Sequence, residues 1–164
     1  MGTLRTKTRH WWVPLLLAVV AAAPARADAP SPVGRWLVQD RRAVIEVYAC
    51  GPKFCGRIVW QEQPLDPDGT VTPDRHNPDP ALRSHPLCDL QMMAGFTPTS
   101  GSPGEWQDGS IYDPESGNSY KCKMRLTSPD LLEVRGFIGF SLFGRTYVLT
   151  RKEMIAATGT SDTH

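Results

Sequence analysis

The sequence predicts an all-β protein, a small antiparallel up-and-down β-barrel of about eight strands with one long Pro-rich loop. Three observations carry that expectation. From Tyr120 the chain alternates strictly, with Tyr120, Cys122, Met124 and Leu126 on one side and Lys121, Lys123, Arg125 and Thr127 on the other. A period of two with one charged face marks a strand whose other face meets a core. Similar segments recur at short spacing between Gly- and Pro-rich turns, with no convincing helix among them. Closing such a sheet on itself removes the exposed edges that an open sheet leaves.

Taken in order, residues 1–27 read as an address. Arg5, Lys7, Arg9 and His10 make a basic start, and the apolar run from Trp11 to Ala23 is short for a bilayer span. Ala25-Arg26-Ala27 is a small-x-small cleavage site, so the stretch reads as a secretory signal peptide cleaved before Asp28. Removing 27 of 164 residues leaves 137, enough for one domain with one core. The leader holds four of the 18 Lys and Arg and none of the 17 Asp and Glu, so the remainder carries −3 rather than +1. That mild, mixed-sign charge gives no reason to expect nucleic acid or an anionic membrane as partner. No later stretch is apolar enough for membrane insertion of the mature chain.

Residues 28–33 form a flexible Pro- and Ala-rich leader, residues 34–152 the single barrel domain, and residues 153–164 a polar tail. Gly34 to Gln39 begins the first strand, and Ala43 to Cys50 forms the second. Gly51-Pro52-Lys53 turns the chain into a third, Phe54 to Gln61, with Phe54, Ile58 and Trp60 expected on one side. Glu62 to Pro86 holds six prolines with Asp66, Asp68, Asp74 and Asp79 between them. So many prolines exclude a ladder strand, and a loop this long is functional or a packed lid. Asp89 to Phe96 fits a short strand or one helical turn, and Thr97 to Gly104 is an exposed connection. Trp106 leads into the central hairpin, whose turn is Asp113-Pro-Glu-Ser-Gly-Asn118. Ser128-Pro129-Asp130 turns again before Leu131 to Ile138, Gly139 to Ser141 forms the last turn, and Leu142 to Lys152 the last strand.

Cys50 and Cys55 flank the first hairpin turn, where facing strands bring Cα atoms near disulfide distance. That leaves Cys88 with Cys122, although three connectivities are formally possible. Neither C-x-x-C nor a Cys/His zinc spacing is present, so the cysteines are read as structural, with no metal and no cofactor called for. Asp66-Pro-Asp-Gly69 fails the EF-hand pattern, because a Gly sixth in such a loop would place its first ligand at Pro64. His76, His85, Ser84 and Asp79 lack any nucleophile-elbow context, and no strand carries a catalytic signature. Asn77 and Asp79 both precede proline and so project from a stiffened loop with Asp74 and Arg83. Such a cluster either docks the loop onto the barrel or offers a polar mouth to a ligand. Arg135 and Arg145 lie on strands, and an inward arginine calls for a carboxylate or a bound anion.

Several blocks in one order resemble a bacterial exported family, domain of unknown function 2147. They are Gly34-x-Trp36, Cys50-Gly51 to Cys55-Gly-Arg-Ile-Val-Trp60, Asn77-Pro-Asp-Pro-x-Leu-Arg83, Trp106-x-x-Gly109-x-Ile-Tyr-Asp-Pro114, Val134-Arg-Gly136 and Phe143-Gly-Arg145. His85 and Leu149 stand where a second arginine and a tryptophan are expected. The resemblance implies a lipocalin- or calycin-like barrel in the periplasm. It also implies a structural role for Gly34, Trp36 and Arg151, with the arginine packing over the tryptophan to close one end.

On this reading the protein binds a small apolar or amphipathic ligand, such as a fatty-acid-like anion. Its lining is expected from Phe54, Ile58, Trp60, Tyr120, Met124 and Val134, with polar contacts from Asn77, Asp79, Arg83 and Arg135. The alternative is an envelope protein–protein interaction or stress-related module with no small ligand, and an enzyme is the third choice.

Overall fold

In the computed structural model, which describes residues 29–137 and 144–152, every strand is antiparallel to its neighbours. The strands are β1 (Gly34–Leu37), β2 (Ala43–Cys50), β3 (Lys53–Gln61), β4 (Gln91–Pro98), β5 (Glu105–Asp113), β6 (Asn118–Ser128), β7 (Leu131–Phe137) and β8 (Gly144–Arg151). They follow one another around a closed barrel, β8 returning to β1. The fold class read from the alternation and turn spacing is therefore the one observed. The signal peptide, the tail beyond Lys152 and the turn at Gly139 to Ser141 lie outside the described residues. Among the described residues no helix is long and apolar enough to cross a membrane.

One end of the barrel is closed by the residues that the family resemblance singles out. Trp36 faces Arg151 across the β1–β8 pairing, and the guanidinium carbon lies 4.2 Å from the indole centroid. Arg151 donates to the carbonyls of Pro129 (2.7 Å) and Val33 (3.1 Å), while Trp36 donates from Nε1 to Pro32 O at 2.8 Å. Gly34, at φ +141°, lies against the Arg151 guanidinium where a β-carbon would collide with it. The leader expected to be flexible is thus tied down at its end, with Pro32 buried and its carbonyl engaged.

Above this plug the interior is filled by side chains. Trp36, Val47, Met93, Phe96, Trp106, Met124, Leu132, Val134 and Leu149 form one buried cluster. Phe54 packs edge-on against Trp106, with ring centroids 5.9 Å apart. Two register shifts decide which residues enter it. In β4, Met93 and Phe96 are both buried although three apart, because Gly95 at φ +82° interrupts the alternation. Between Val44 and Ile45 another shift makes Ile45 face Ile58 but Val44 face Trp60. Ile45 shares the inner face with Trp36, whereas Val44 shares the outer face with Leu37. Trp60 follows Val44 outward and is 48% exposed. The expected lining role of Trp60 is therefore corrected by a bulge that strict alternation does not anticipate.

The first disulfide is present, joining Cys50 to Cys55 with Cα atoms 5.8 Å apart. The expected bond between Cys88 and Cys122 is absent, and both are free. Cys122 occupies an inward position of β6 in the core, while Cys88 stands in solvent in the connection before β4. A sulfur enclosed among core side chains cannot reach one held in solvent without moving backbone.

Two outcomes test this frame. Trp36→Ala should cost about 3–5 kcal/mol in denaturant unfolding, and Arg151→Ala about 1–3 kcal/mol from its charge-assisted bonds. Losses in the double variant should fall short of their sum, whereas full additivity would separate the two residues. Iodoacetamide should label Cys88 alone in the native, unreduced protein, because burial pushes the Cys122 thiol up to about 12. Unfolding without reductant should then add one label, and reduction two more.

Candidate functional site

The long loop expected at Glu62 to Pro86 is anchored by a buried carboxylate. Asp74 is 1% exposed, accepting from Tyr112 Oη and from Asn77 Nδ2, both at 2.7 Å. Its backbone N–H donates to His85 O (2.8 Å), and its carbonyl accepts from the Asn77 N–H (3.0 Å). Burying a carboxylate is tolerable only where donors replace the lost water, and here both side-chain donors are neutral. Asn77 in turn accepts from the Asp79 N–H through Oδ1, and from Arg83 Nε through its carbonyl at 2.8 Å. Asp79 caps the single 3-10 turn Pro80–Leu82 by accepting from the Ala81 N–H. Gly117 (φ +70°), on the turn after β5, lies so close to His76 O that any side chain there would collide. Asn77, Asp79 and the Nε of Arg83 thus hold the loop together and dock it beside Tyr112.

Elsewhere at this end, Arg42 donates to Asp40 (2.8 Å) and to Glu115 (2.9 Å). The first loop and the β5–β6 turn lie on opposite sides of an eight-strand ring, so this ion pair bridges the mouth. The other side is formed by β7 and β8. There the register places Gly136 opposite Arg145 and Val134 opposite Tyr147. Val134 belongs to the core, so Tyr147 and Arg145 share the inward face with it. Both are nevertheless exposed, Tyr147 at 48%. Arg145 has no ion-pair or hydrogen-bond partner among the described residues.

Glycines show how packing among the described residues differs between this end and the rest. Deeper in the barrel, the space beside Gly109 is taken by the Phe96 ring and that beside Gly56 by Met93. Among the described residues, a β-carbon at Gly136 would meet Ile111 and Tyr120, each at an ordinary 3.9 Å. Ile111, Tyr120, Gly136, Arg145 and Tyr147 therefore share the inner face at this end, bringing together two phenols, an aliphatic side chain and a guanidinium with no ion pair among the described residues. Sequence reasoning named Tyr120 for the site and noted Arg145, but missed Tyr147. Its signal was the inward parity it shares with Leu149.

The other expected residues are elsewhere. Phe54, Ile58, Met124 and Val134 face inward but pack the core or its margin. Arg135 pairs in register with Lys123 on the outer face and donates to Thr146 Oγ1 at 3.0 Å. It lines an open concavity of about 400 Å³ with Lys123, Arg125, Glu105 and Glu133, where carboxylates offset much of the positive charge. Among the described residues no cluster of three His, Cys, Asp or Glu side chains could hold a metal.

The anchor is testable. Burial, and then the bond to Asp74, push the Tyr112 hydroxyl up to about 12. The native pKa lies above that of the unfolded chain, about 10. The stabilisation is therefore whole below pH 10 and is lost as pH rises toward 12. Absorbance titration should show one late tyrosine, absent in Tyr112→Phe, and that variant should lose about 1–3 kcal/mol. All four tyrosines titrating together near 10 would refute the anchor.

No curated protein matches this chain. Its fold is similar to that of protein HP1028 from Helicobacter pylori, described as belonging to the lipocalin family, at a TM-score of 0.66 and 18% identity. That match covers 76% of this chain and 85% of the other, and at such identity it speaks to fold alone. Residues 34–151 match the family described as uncharacterized protein conserved in bacteria, domain of unknown function 2147, and the chain belongs to that family.

Proposed function

We propose that this is an exported, periplasmic lipocalin-like barrel that binds a small amphipathic anion in the recess beneath its open rim. The observation that carries the reading is the pairing of Arg145 and Tyr147 on an inward face that is nevertheless exposed. A guanidinium that shares a face with two phenols suits a carboxylate or similar anion attached to an aromatic or short aliphatic body. The filled interior below argues against a long acyl chain inserted along the barrel axis. A ligand here is short and lies across Tyr120 and Gly136. The Arg42–Glu115 bridge and the anchored loop bound it on the far side. Export is supported by the basic, apolar and Ala25-Arg26-Ala27 pattern, and the Cys50–Cys55 bond suits an oxidising compartment.

Native mass spectrometry of protein taken from its own envelope should find a chain beginning at Asp28 with a small added mass. Arg145→Ala should weaken rebinding of that molecule about 10- to 100-fold, the worth of one charge-assisted bond. Gly136→Phe should block rebinding by filling the recess. A reproducibly empty protein, with neither variant altering thermal shifts across a panel of small carboxylates, would overturn the reading.

A further inference from the structure

The barrel is joined at β1–β8 by fewer register pairs than at any other junction. β8 pairs with β7 along its length, from Gly144 to Thr150, but with β1 only at Thr150 and Arg151. β1 ends at Leu37, so the upper half of β8 runs on with no strand beside it. The direction of its backbone groups follows from two bonds. Lys152 N–H donates to Arg35 O at 2.8 Å, and Val148 N–H reaches the Gln39 side-chain oxygen at 3.5 Å. Even-numbered residues of β8 therefore turn their N–H and C=O toward β1. Thr146 and Gly144 continue that row past the end of β1, where no described strand receives them. Gln39 is a side-chain stand-in for one missing rung.

Beside this edge lies an open concavity of about 470 Å³, lined by Leu37, Val38, Gln39, Arg41, Val148 and Thr150. Its wall is aliphatic, and its charged member is Arg41. The neighbouring carboxylate of Asp40 is taken by Arg42, which also holds Glu115, and Arg41 makes no ion pair among the described residues. Arg41 is held at φ +64°, a conformation that arginine seldom adopts.

We infer that this seam is a strand-addition site for an extended polypeptide segment carrying an acidic residue two positions from an aliphatic one, so that both side chains share a face. The segment's main chain takes the vacant rung at Thr146 and replaces Gln39 at Val148, its aliphatic side chain enters the concavity, and its carboxylate meets Arg41. Charge favours such a partner over a second copy of this chain, because the face offered here is cationic and two like faces repel. The inference stands apart from the ligand recess, which uses Arg145 and the inner face.

The test uses two blocked peptides, Thr-Val-Thr-Asp-Thr and Thr-Val-Thr-Lys-Thr, added to the nitrogen-15-labelled full protein. The Asp peptide should shift and protect the Thr146 and Val148 amides and bind about tenfold more tightly than the Lys peptide, a charge effect of the usual size. Arg41→Asp, which tolerates the same backbone, should reverse that preference. Thr146→Pro removes a donor that β7 does not use and should abolish binding of both. Arg145→Ala should leave peptide binding unchanged, which separates this site from the recess. Four outcomes would overturn the inference. They are a Thr146 amide already protected in the free protein, equal binding of both peptides, no binding at millimolar peptide, and amide shifts that track protein concentration alone, the mark of self-pairing.

Discussion

Closure of the ring through Trp36 and Arg151 is the constraint on which the other features depend. A sheet of this size is only as stable as the junction between its first and last strands, because every other junction is a hairpin or a neighbour in sequence. Here that junction is two residue pairs long. Its strength comes from side chains, with a guanidinium stacked on an indole and tied to two carbonyls from other segments. Concentrating closure at one end leaves the other end of β8 unsupported by β1. The short first strand thus accounts for both the open seam and the exposure of Tyr147 beside it.

Packing follows the same gradient along the axis. Near the plug, aromatic rings and methionines reach into gaps left by glycines, Phe96 over Gly109 and Met93 over Gly56. Such interdigitation is what a small barrel needs to reach native density. Toward the rim the rule lapses at Gly136, where no ring of the described residues moves in. The long loop does not compensate on that side. Asp74, Tyr112 and Gly117 hold it over the β5–β6 turn, and its polar groups are spent on its own backbone.

How much of this was legible in the sequence depended on whether the period of two held. On β6 as far as Leu126, and again on β7, it held, and the inward residues Cys122, Met124, Leu132 and Val134 could be read directly. On β4 the Gly95 bulge puts Met93 and Phe96 three apart on one face, which is also helical spacing. That coincidence left strand and helical turn indistinguishable. The shift at Val44 reversed Trp60 for the same reason, since a bulge costs one residue and flips all that follow. The Cys50–Cys55 bond was readable because a tight turn fixes distance locally. Pairing Cys88 with Cys122 rested on elimination, and elimination ignores which side of the wall each sulfur occupies. The role of Asn77 and Asp79 was ambiguous because local side-chain–backbone bonds and a ligand contact draw on the same residue types.

Two cationic groups that make no ion pair among the described residues, Arg145 and Arg41, can be weighed against each other by what surrounds them. Arg145 stands on a strand, on the inner face, between phenols and next to a glycine recess. Its backbone is fixed by β7, so an anion there meets a preorganised partner with little ordering left to lose. Arg41 stands on a turn at positive φ beside an aliphatic groove and an open backbone edge. A small anion gains little at such an exposed guanidinium, where solvent screens the pair. A chain that also fills the groove and the vacant rungs gains from all three at once. The same physical reasoning therefore assigns a small molecule to the inner face and a polypeptide to the seam, one on each side of the single strand β8.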